Sequence, residues 1–141
     1  MMRRNRAPLL ALYALLLAAP VHAQNPAQTL ERIAAAWHKG DANAITALAA
    51  RAGISVDVDG RAVGPLGARQ AAAVLRRVFD DRESVSARTS MSRATGNDRA
   101  FGEVSWSMKA RGTTIPEQAT IFVALIREDG QWRVSEIRLL Q

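Results

Sequence analysis

Apolar residues between residues 26 and 82 recur mainly at helical spacing. The pattern begins after Asn25–Gln28, which resembles a capping box with proline at the first helical position. It stops at Gly40, a residue that commonly ends helices. The apolar residues between these points fall on one helical face: Leu30, Ile33, Ala34 and Trp37. The pattern predicts a first amphipathic helix.

Two more helices and a short strand follow in the same half of the chain. Asp41 is a suitable cap for a second helix that runs towards Gly53, with apolar positions at Ala42, Ile45, Leu48 and Ala49. Residues Ile54–Val58 alternate with period two, which predicts a strand. Gly64–Gly67 has the composition of a loop. A third helix is predicted from Ala68 to Asp81, burying Ala71, Leu75, Val78 and Phe79.

The second half of the chain alternates as strands do. One strand face carries Val85, Ala87, Thr89 and Met91, and the next carries Ala100, Gly102, Val104, Trp106 and Met108. The run from Ala119 to Ile126 is apolar on both faces, which indicates a central strand. Turn residues separate these segments, so the pattern predicts a four-stranded meander.

The last strand contains a break in its alternation. Trp132 and Val134 share one phase, but Ile137 and Leu139 require the other. One extra residue near Ser135 and Glu136 would reconcile the two halves, which is the signature of a β-bulge. Because bulges bend strands, this one favours a curved sheet that wraps around the helices.

The order of these elements predicts an α+β fold. Three N-terminal helices with a short strand pack in a curved, mostly antiparallel sheet. Residues 24–141 are enough for one domain with one modest core.

Residues 1–23 have the pattern of a signal peptide. Arg3, Arg4 and Arg6 precede the apolar run Leu9–Ala19, and Val21–Ala23 supplies small residues at the cleavage positions. The run is shorter than the roughly 20 apolar residues that span a bilayer. We therefore predict export to the periplasm or the extracellular space, without membrane association after cleavage. The alternative interpretation is an N-terminal membrane anchor.

Composition excludes several kinds of chemistry. Without its first 23 residues the chain carries 16 basic and 13 acidic residues, a net charge of +3, which argues weakly for nucleic acid. The arginines are not interleaved with aromatic residues, so no nucleic-acid partner is predicted. The chain has no cysteine, and His38 is the one histidine after residue 23. No disulfide, metal site or cofactor is predicted.

The order of elements resembles the nuclear transport factor 2-like superfamily, which includes ketosteroid isomerases and polyketide cyclases. The resemblance covers nearly all of residues 24–141. It implies a cystatin-like cone, in which a curved sheet surrounds three helices and leaves an apolar pocket at the open end. The matching residues are Trp37–Asp41, Ala47 and Leu48, Ile54–Val58, Gly64–Gly67 and Asp129–Val134.

Such a cone has apolar walls and an opening for a ligand. The residues expected to line it are Trp37, Phe79, Met91, Trp106, Met108 and Phe122. His38 is a weak candidate for a proton-transfer group, as in the dehydratase branch of the superfamily. Its alternative role is a surface residue at the end of the first helix.

The resemblance also implies a general base at Asp57, which is the second weak catalytic candidate. A carboxylate in an apolar cone can take a proton next to a carbonyl group. The related isomerases add a tyrosine and a protonated acid that stabilise the developing oxyanion. Ile33 stands at the tyrosine position, and the late strand offers only Thr120. The alternative role of Asp57 is a carboxylate in solvent or capping the turn at Asp59.

Three functional interpretations remain open. The first is an exported, non-catalytic domain that binds a small apolar ligand in the cone. The second is an interaction module, including a homodimer, that uses exposed Phe101, Phe122 and Ile126 on the sheet. The third is an isomerase- or cyclase-like enzyme with Asp57 as base. The missing oxyanion donors favour the first two.

Export predicts removal of residues 1–23. N-terminal sequencing or intact-mass measurement of the exported protein should give Gln24 as the first residue. A full-length chain recovered from the membrane fraction would instead support the anchor.

Overall fold

The computed structural model describes residues 25–141, so the predicted signal peptide lies outside the described residues. The helices are α1 (Pro26–Lys39), α2 (Ala42–Thr46) and α3 (Ala68–Asp81). The strands are β1 (Ile54–Val58), β2 (Arg61–Leu66), β3 (Arg82–Ala94), β4 (Arg99–Ala110), β5 (Glu117–Glu128) and β6 (Gln131–Leu140). Within residues 25–141, no helix has the length and hydrophobicity needed to cross a membrane.

The six strands form one sheet in the order β2-β1-β6-β5-β4-β3. All neighbouring pairs are antiparallel except β1 and β6, which run parallel. Strand β5 lies inside the sheet, as its two apolar faces predicted. The helices cover one face, which we call the inner face, and the other is the outer face. The α+β prediction is confirmed.

Local signals set the bounds of α1. The Asn25 side chain accepts a hydrogen bond from the Ala27 backbone N–H at 2.6 Å, and Pro26 occupies the first turn. Gly40 ends the helix at φ +66°, in the left-handed region, and its N–H returns to the carbonyls of Ala36 and Trp37. The predicted start and end are confirmed.

Helix α2 is shorter than the sequence predicts. Asp41 caps it through a 3.0 Å bond from the Ala44 N–H, but the helix ends at Thr46. The following residues pair with the edge of β6 instead. The Leu48 carbonyl accepts from the Val134 N–H at 2.7 Å, and the Ala50 N–H donates to the Val134 carbonyl at 2.8 Å. Backbone groups of Leu48 and Ala50 that could have continued the helix are therefore hydrogen-bonded to Val134, a residue far along the chain.

Strand β2 replaces part of the loop predicted at Gly64–Gly67. It forms a hairpin with β1, with Val56 opposite Val63 and Ile54 opposite Leu66. Gly64 has φ +123°, and a Cβ there would lie 2.9 Å from the Ile54 carbonyl oxygen. Glycine therefore permits the irregular backbone that keeps this edge strand paired.

The bulge predicted in the last strand is confirmed. Glu136 pairs with Ala124 and Val134 with Leu125, so Ser135 is the extra residue. Strand β3 contains two further shifts, at Val85 and at Ser90, that the sequence pattern does not reveal. Val85 is consequently exposed rather than on the inner face with Ala87.

Helix α1 packs closely against β3 and β4. A Cβ at Gly102 would collide with the Leu30 side chain and lie 2.7 Å from the Met91 carbonyl oxygen. The large side chains below this contact have almost no exposed surface: Leu30, Ile33, Trp37, Leu75, Val104, Trp106, Met108, Ile121 and Val123. These side chains form one continuous core between the helices and the sheet.

Replacing Phe79 with alanine should lower stability strongly. Phe79 is 8% exposed and lies 5.2 Å from the Trp37 ring. Removing a buried aromatic side chain costs about 3–5 kcal/mol, a large share of the roughly 5–15 kcal/mol that holds a domain folded. Chemical denaturation should show this loss. The exposed Arg61→Ala control should change stability by about 0.5 kcal/mol or less. Equal small effects would contradict the packing of α3.

Candidate functional site: a filled interior and an open sheet face

Three aromatic rings fill the space where the cone pocket was expected. Trp37 lies 5.2 Å from Phe79 and 5.5 Å from Trp106, and Phe79 lies 6.4 Å from Trp106. All three pairs are edge-to-face, the arrangement that aromatic rings prefer. Trp106 and Met108 have no exposed surface. At these positions the side chains that were expected to line a pocket form the core.

The other two expected pocket residues lie elsewhere. The bulge at Ser90 shifts β3 by one residue, so Met91 pairs with Glu103 on the outer face. Phe122, on β5, is the other neighbour of Glu103 and therefore lies on the same outer face. This corrects the expectation that Met91 and Phe122 share a cavity with the tryptophans. Alternation did not reveal it, because the bulge in β3 leaves no phase break near Met91 and because both faces of β5, which carries Phe122, are apolar.

Asp57 lies on the outer face of β1. Ile54 and Val56 are buried on the inner face, so alternation turns Asp57 the other way, opposite Arg138 of β6. One of its carboxylate oxygens is buried and has no hydrogen-bond partner within residues 25–141. Ile33, at the position of the isomerase tyrosine, is buried on the inner side. The structure therefore does not bring Asp57 to the interior position that an isomerase mechanism requires.

His38 contacts a serine that the sequence did not connect with it. Its Nδ1 lies 3.0 Å from the Ser84 Oγ, which also accepts a 3.0 Å hydrogen bond from the Trp106 Nε1–H. Ser84 is at the start of β3, directly before the bulge at Val85. No short-range pattern could have revealed this contact, because His38 and Ser84 are 46 residues apart.

The outer face carries a mixed aromatic and charged surface. Phe101 and Phe122 lie 5.8 Å apart, and the Arg138 guanidinium lies 5.7 Å from the Phe122 ring. Arg138 also bonds to Glu136. A shallow depression of about 280 Å³ lies among these side chains and extends to Arg99. Phe101, Phe122 and Ile126, which were expected to be exposed on the sheet, lie on the outer face and are half-buried.

A second opening lies between α3 and the β1–β2 hairpin. This rim cleft has a volume of about 640 Å³, within the range of small-molecule sites. Arg82 and Asp59 form an ion pair across it at 3.7 Å. Its apolar lining consists of valines: Val58, Val63, Val74 and Val78. The cleft can hold a partly apolar molecule at the edge of the cone.

Replacing Asp57 with asparagine tests the enzyme interpretation. We expect no measurable isomerisation of small unsaturated ketones by the wild-type domain, because one missing oxyanion donor alone lowers rates about 10²–10³-fold. Asp57→Asn should change stability by less than about 1 kcal/mol. Turnover by the wild type that Asp57→Asn abolishes, with the fold intact, would establish Asp57 as the base.

Comparisons with known proteins find relatives by structure and not by sequence. No protein-family model matches the chain, and no curated protein matches it. A Nostoc punctiforme domain of unknown function with a cystatin-like fold superposes with a TM-score of 0.64 at 14% identity, over 82% of this chain and 74% of that one.

Two further solved structures extend this similarity. A hypothetical Catenulispora acidiphila protein with a ketosteroid isomerase-like fold, in complex with trimethylamine, gives a TM-score of 0.65 at 18% identity. It covers 81% of this chain and 85% of its own. An NTF-2-like protein of unknown function from Shewanella oneidensis gives 0.58 at 14% identity, over 79% of this chain and 93% of its own. The described domain therefore has the nuclear transport factor 2-like, cystatin-like fold.

Proposed function

We propose that this protein is a non-catalytic binding module that works as a homodimer through the outer face of its sheet. The observation that carries the proposal is the arrangement of side chains on that face, while the interior is closed by Trp37, Phe79 and Trp106. Solved proteins with this fold include members of unknown function, so the fold does not by itself imply catalysis by this protein. Export through the predicted signal peptide would place the dimer in the periplasm or outside the cell.

One row of residues across the outer face is complementary to itself. Arg93 on β3 pairs with Phe101 on β4, which pairs with Ala124 on β5, which pairs with Glu136 on β6. The row thus has a cation at one end, an acid at the other, and apolar side chains between. A second copy can bind this surface when its own row runs in the opposite order, from Glu136 to Arg93, so that each charge faces the opposite charge.

A two-fold axis along the strands, between β4 and β5, gives that arrangement. Rotation about this axis places β3 of one copy over β6 of the other, as a symmetric dimer interface requires. Arg93 then faces Glu136 of the other copy, and Phe101 packs over the small Ala124. The two phenylalanines of each copy lie near the centre, where aromatic side chains contribute most to binding.

The rim cleft supports a second candidate function, the binding of a small, partly apolar ligand. Its valine lining and its volume of about 640 Å³ suit such a molecule. The Catenulispora protein of this fold is in complex with trimethylamine, so a small organic molecule can be held by a related architecture. Native mass spectrometry of the purified domain reports both the dimer and any retained ligand.

The dimer is tested by light scattering and native mass spectrometry on residues 24–141. The wild type should be dimeric at micromolar concentration. Phe122→Glu should weaken the dimer at least about tenfold, because it places a charge in the apolar centre. Glu136→Arg should also weaken it, since two cations then face each other. Arg93→Glu combined with Glu136→Arg should restore it.

The rescue separates the dimer from effects within one copy. Arg93 and Glu136 are three strands apart in the same sheet, which is roughly 14 Å at the usual strand spacing. Their charges therefore compensate each other only across an interface. Arg61→Glu, on the exposed edge strand, is the matched charge-reversal control and should leave the dimer intact. A monomeric wild type that retains a small molecule would favour the rim cleft instead.

A further inference from the structure

The rim cleft contains an arginine whose hydrogen-bond donors are unused. The Arg82 side chain is only 19% exposed, and its guanidinium donates no hydrogen bond to another residue in the described part of the chain. We propose that the rim cleft binds an aliphatic monocarboxylate, with the carboxylate on Arg82 and the hydrocarbon chain on the valines. This inference rests on the rim cleft as the second candidate function and is independent of the homodimer.

The contact with Asp59 places the Arg82 guanidinium at the cleft. Arg82 Nη2 lies 3.7 Å from Asp59 Oδ2, and both residues line the cleft. A hydrogen bond between a guanidinium and a carboxylate is about 2.7–2.9 Å long, so this ion pair leaves the donors unsatisfied. Polar groups that are largely buried nearly always have partners in native proteins. The unused donors therefore indicate that an acceptor belongs in the cleft, and a carboxylate can accept two parallel bonds from one guanidinium.

The formal charges around the cleft favour an anion. Three cations and two carboxylates line it: Arg61, Arg77, Arg82, Asp59 and Asp81. The excess is one positive charge, which a single carboxylate would neutralise. Asp59 would repel that carboxylate, but its side chain is 52% exposed and solvent ions screen its charge.

The end of α3 is already neutralised by a neighbouring arginine. Carbonyl groups in the last turn of a helix carry partial negative charge, which opposes a bound anion. Arg111 donates from its side chain to the carbonyls of Phe79, at 3.1 Å, and Asp80. Its backbone N–H donates to the Asp81 carbonyl at 3.1 Å. The end of α3 therefore opposes an anion near Arg82 less than an uncapped helix end would.

Methyl groups form the apolar wall of the cleft. Val58 and Val63 come from the β1–β2 hairpin, and Val74 and Val78 come from α3. Val63 is 49% exposed, so a hydrocarbon chain in the cleft would cover apolar surface that now faces solvent. A short unbranched fatty acid has both required parts, a carboxylate and a flexible chain of methylene groups.

Valine methyl signals in proton–carbon NMR spectra of residues 24–141 test this site. Hexanoate should shift the Val63 signals, identified with Val63→Ala, in a saturable way with a dissociation constant of about 1 mM, as for small ligands. 1-Hexanol has the same chain without the charge, and hexylamine has the opposite charge. Both should bind at least about tenfold more weakly. Acetate should do the same, because it lacks four methylene groups.

Two variants connect binding with the proposed contacts. Arg82→Gln should weaken hexanoate binding at least about tenfold and should leave 1-hexanol binding unchanged, because it removes only the charged donors. Arg88→Gln, on an exposed side chain of the same strand, is the matched control and should leave both unchanged. If Arg82→Gln does not fold, Val63→Glu on the edge strand places a repelling carboxylate in the cleft and should weaken hexanoate binding similarly.

The outcomes distinguish this inference from the functions on which it builds. Equal binding of hexanoate and 1-hexanol would overturn the carboxylate assignment and leave the rim cleft as an apolar site. Absence of a saturable shift up to about 50 mM hexanoate would overturn the assignment as well. Light scattering on the same samples reports the homodimer separately, so a failure at the rim cleft is not confused with a failure at the outer face.

Discussion

The close approach of α1 to the sheet is the contact on which the rest of the structure depends. Gly102 leaves room for Leu30 to meet the β4 backbone, which brings Trp37 down onto Trp106. Phe79 of α3 packs edge-to-face against both indole rings. Two helices and the centre of the sheet therefore share one aromatic cluster. The same cluster lies where the pocket of the cone was expected.

The sequence predicts the elements whose signals are local. Helix α3 was predicted with the bounds it has, because its apolar stripe and its flanking turns lie within one segment. The bulge at Ser135 was predictable because large apolar residues on both sides disagree in phase. The bulges at Val85 and Ser90 were not, because Val85, Ala87, Thr89 and Met91 alternate regularly with polar residues and the sequence therefore shows no phase break. Helix α2 was predicted too long because its end depends on Val134, far along the chain.

The candidate site was harder to predict than the fold, for a related physical reason. Alternation separates the two faces of a strand, but it does not say which face meets the helices when both are apolar. Phe122 was therefore assigned both to the pocket and to the exposed sheet face, and it lies on the outer face. Asp57 was assigned by resemblance to a catalytic position, and the burial of Val56 turns it to the outer face. The contact of His38 with Ser84 depends on tertiary structure alone.

The position of β6 has a consequence for how the domain is made. This strand comes last in the chain but lies between β1 and β5, and its first half also pairs with the segment after α2. The β1–β2 hairpin consequently cannot join strands β3–β5 until residues 131–140 have been synthesised. Such pairing over long sequence separations is slow to form. In this topology β6 is therefore the strand that joins two separately paired parts of the sheet, and the core between the helices and the sheet closes only when that strand is in place.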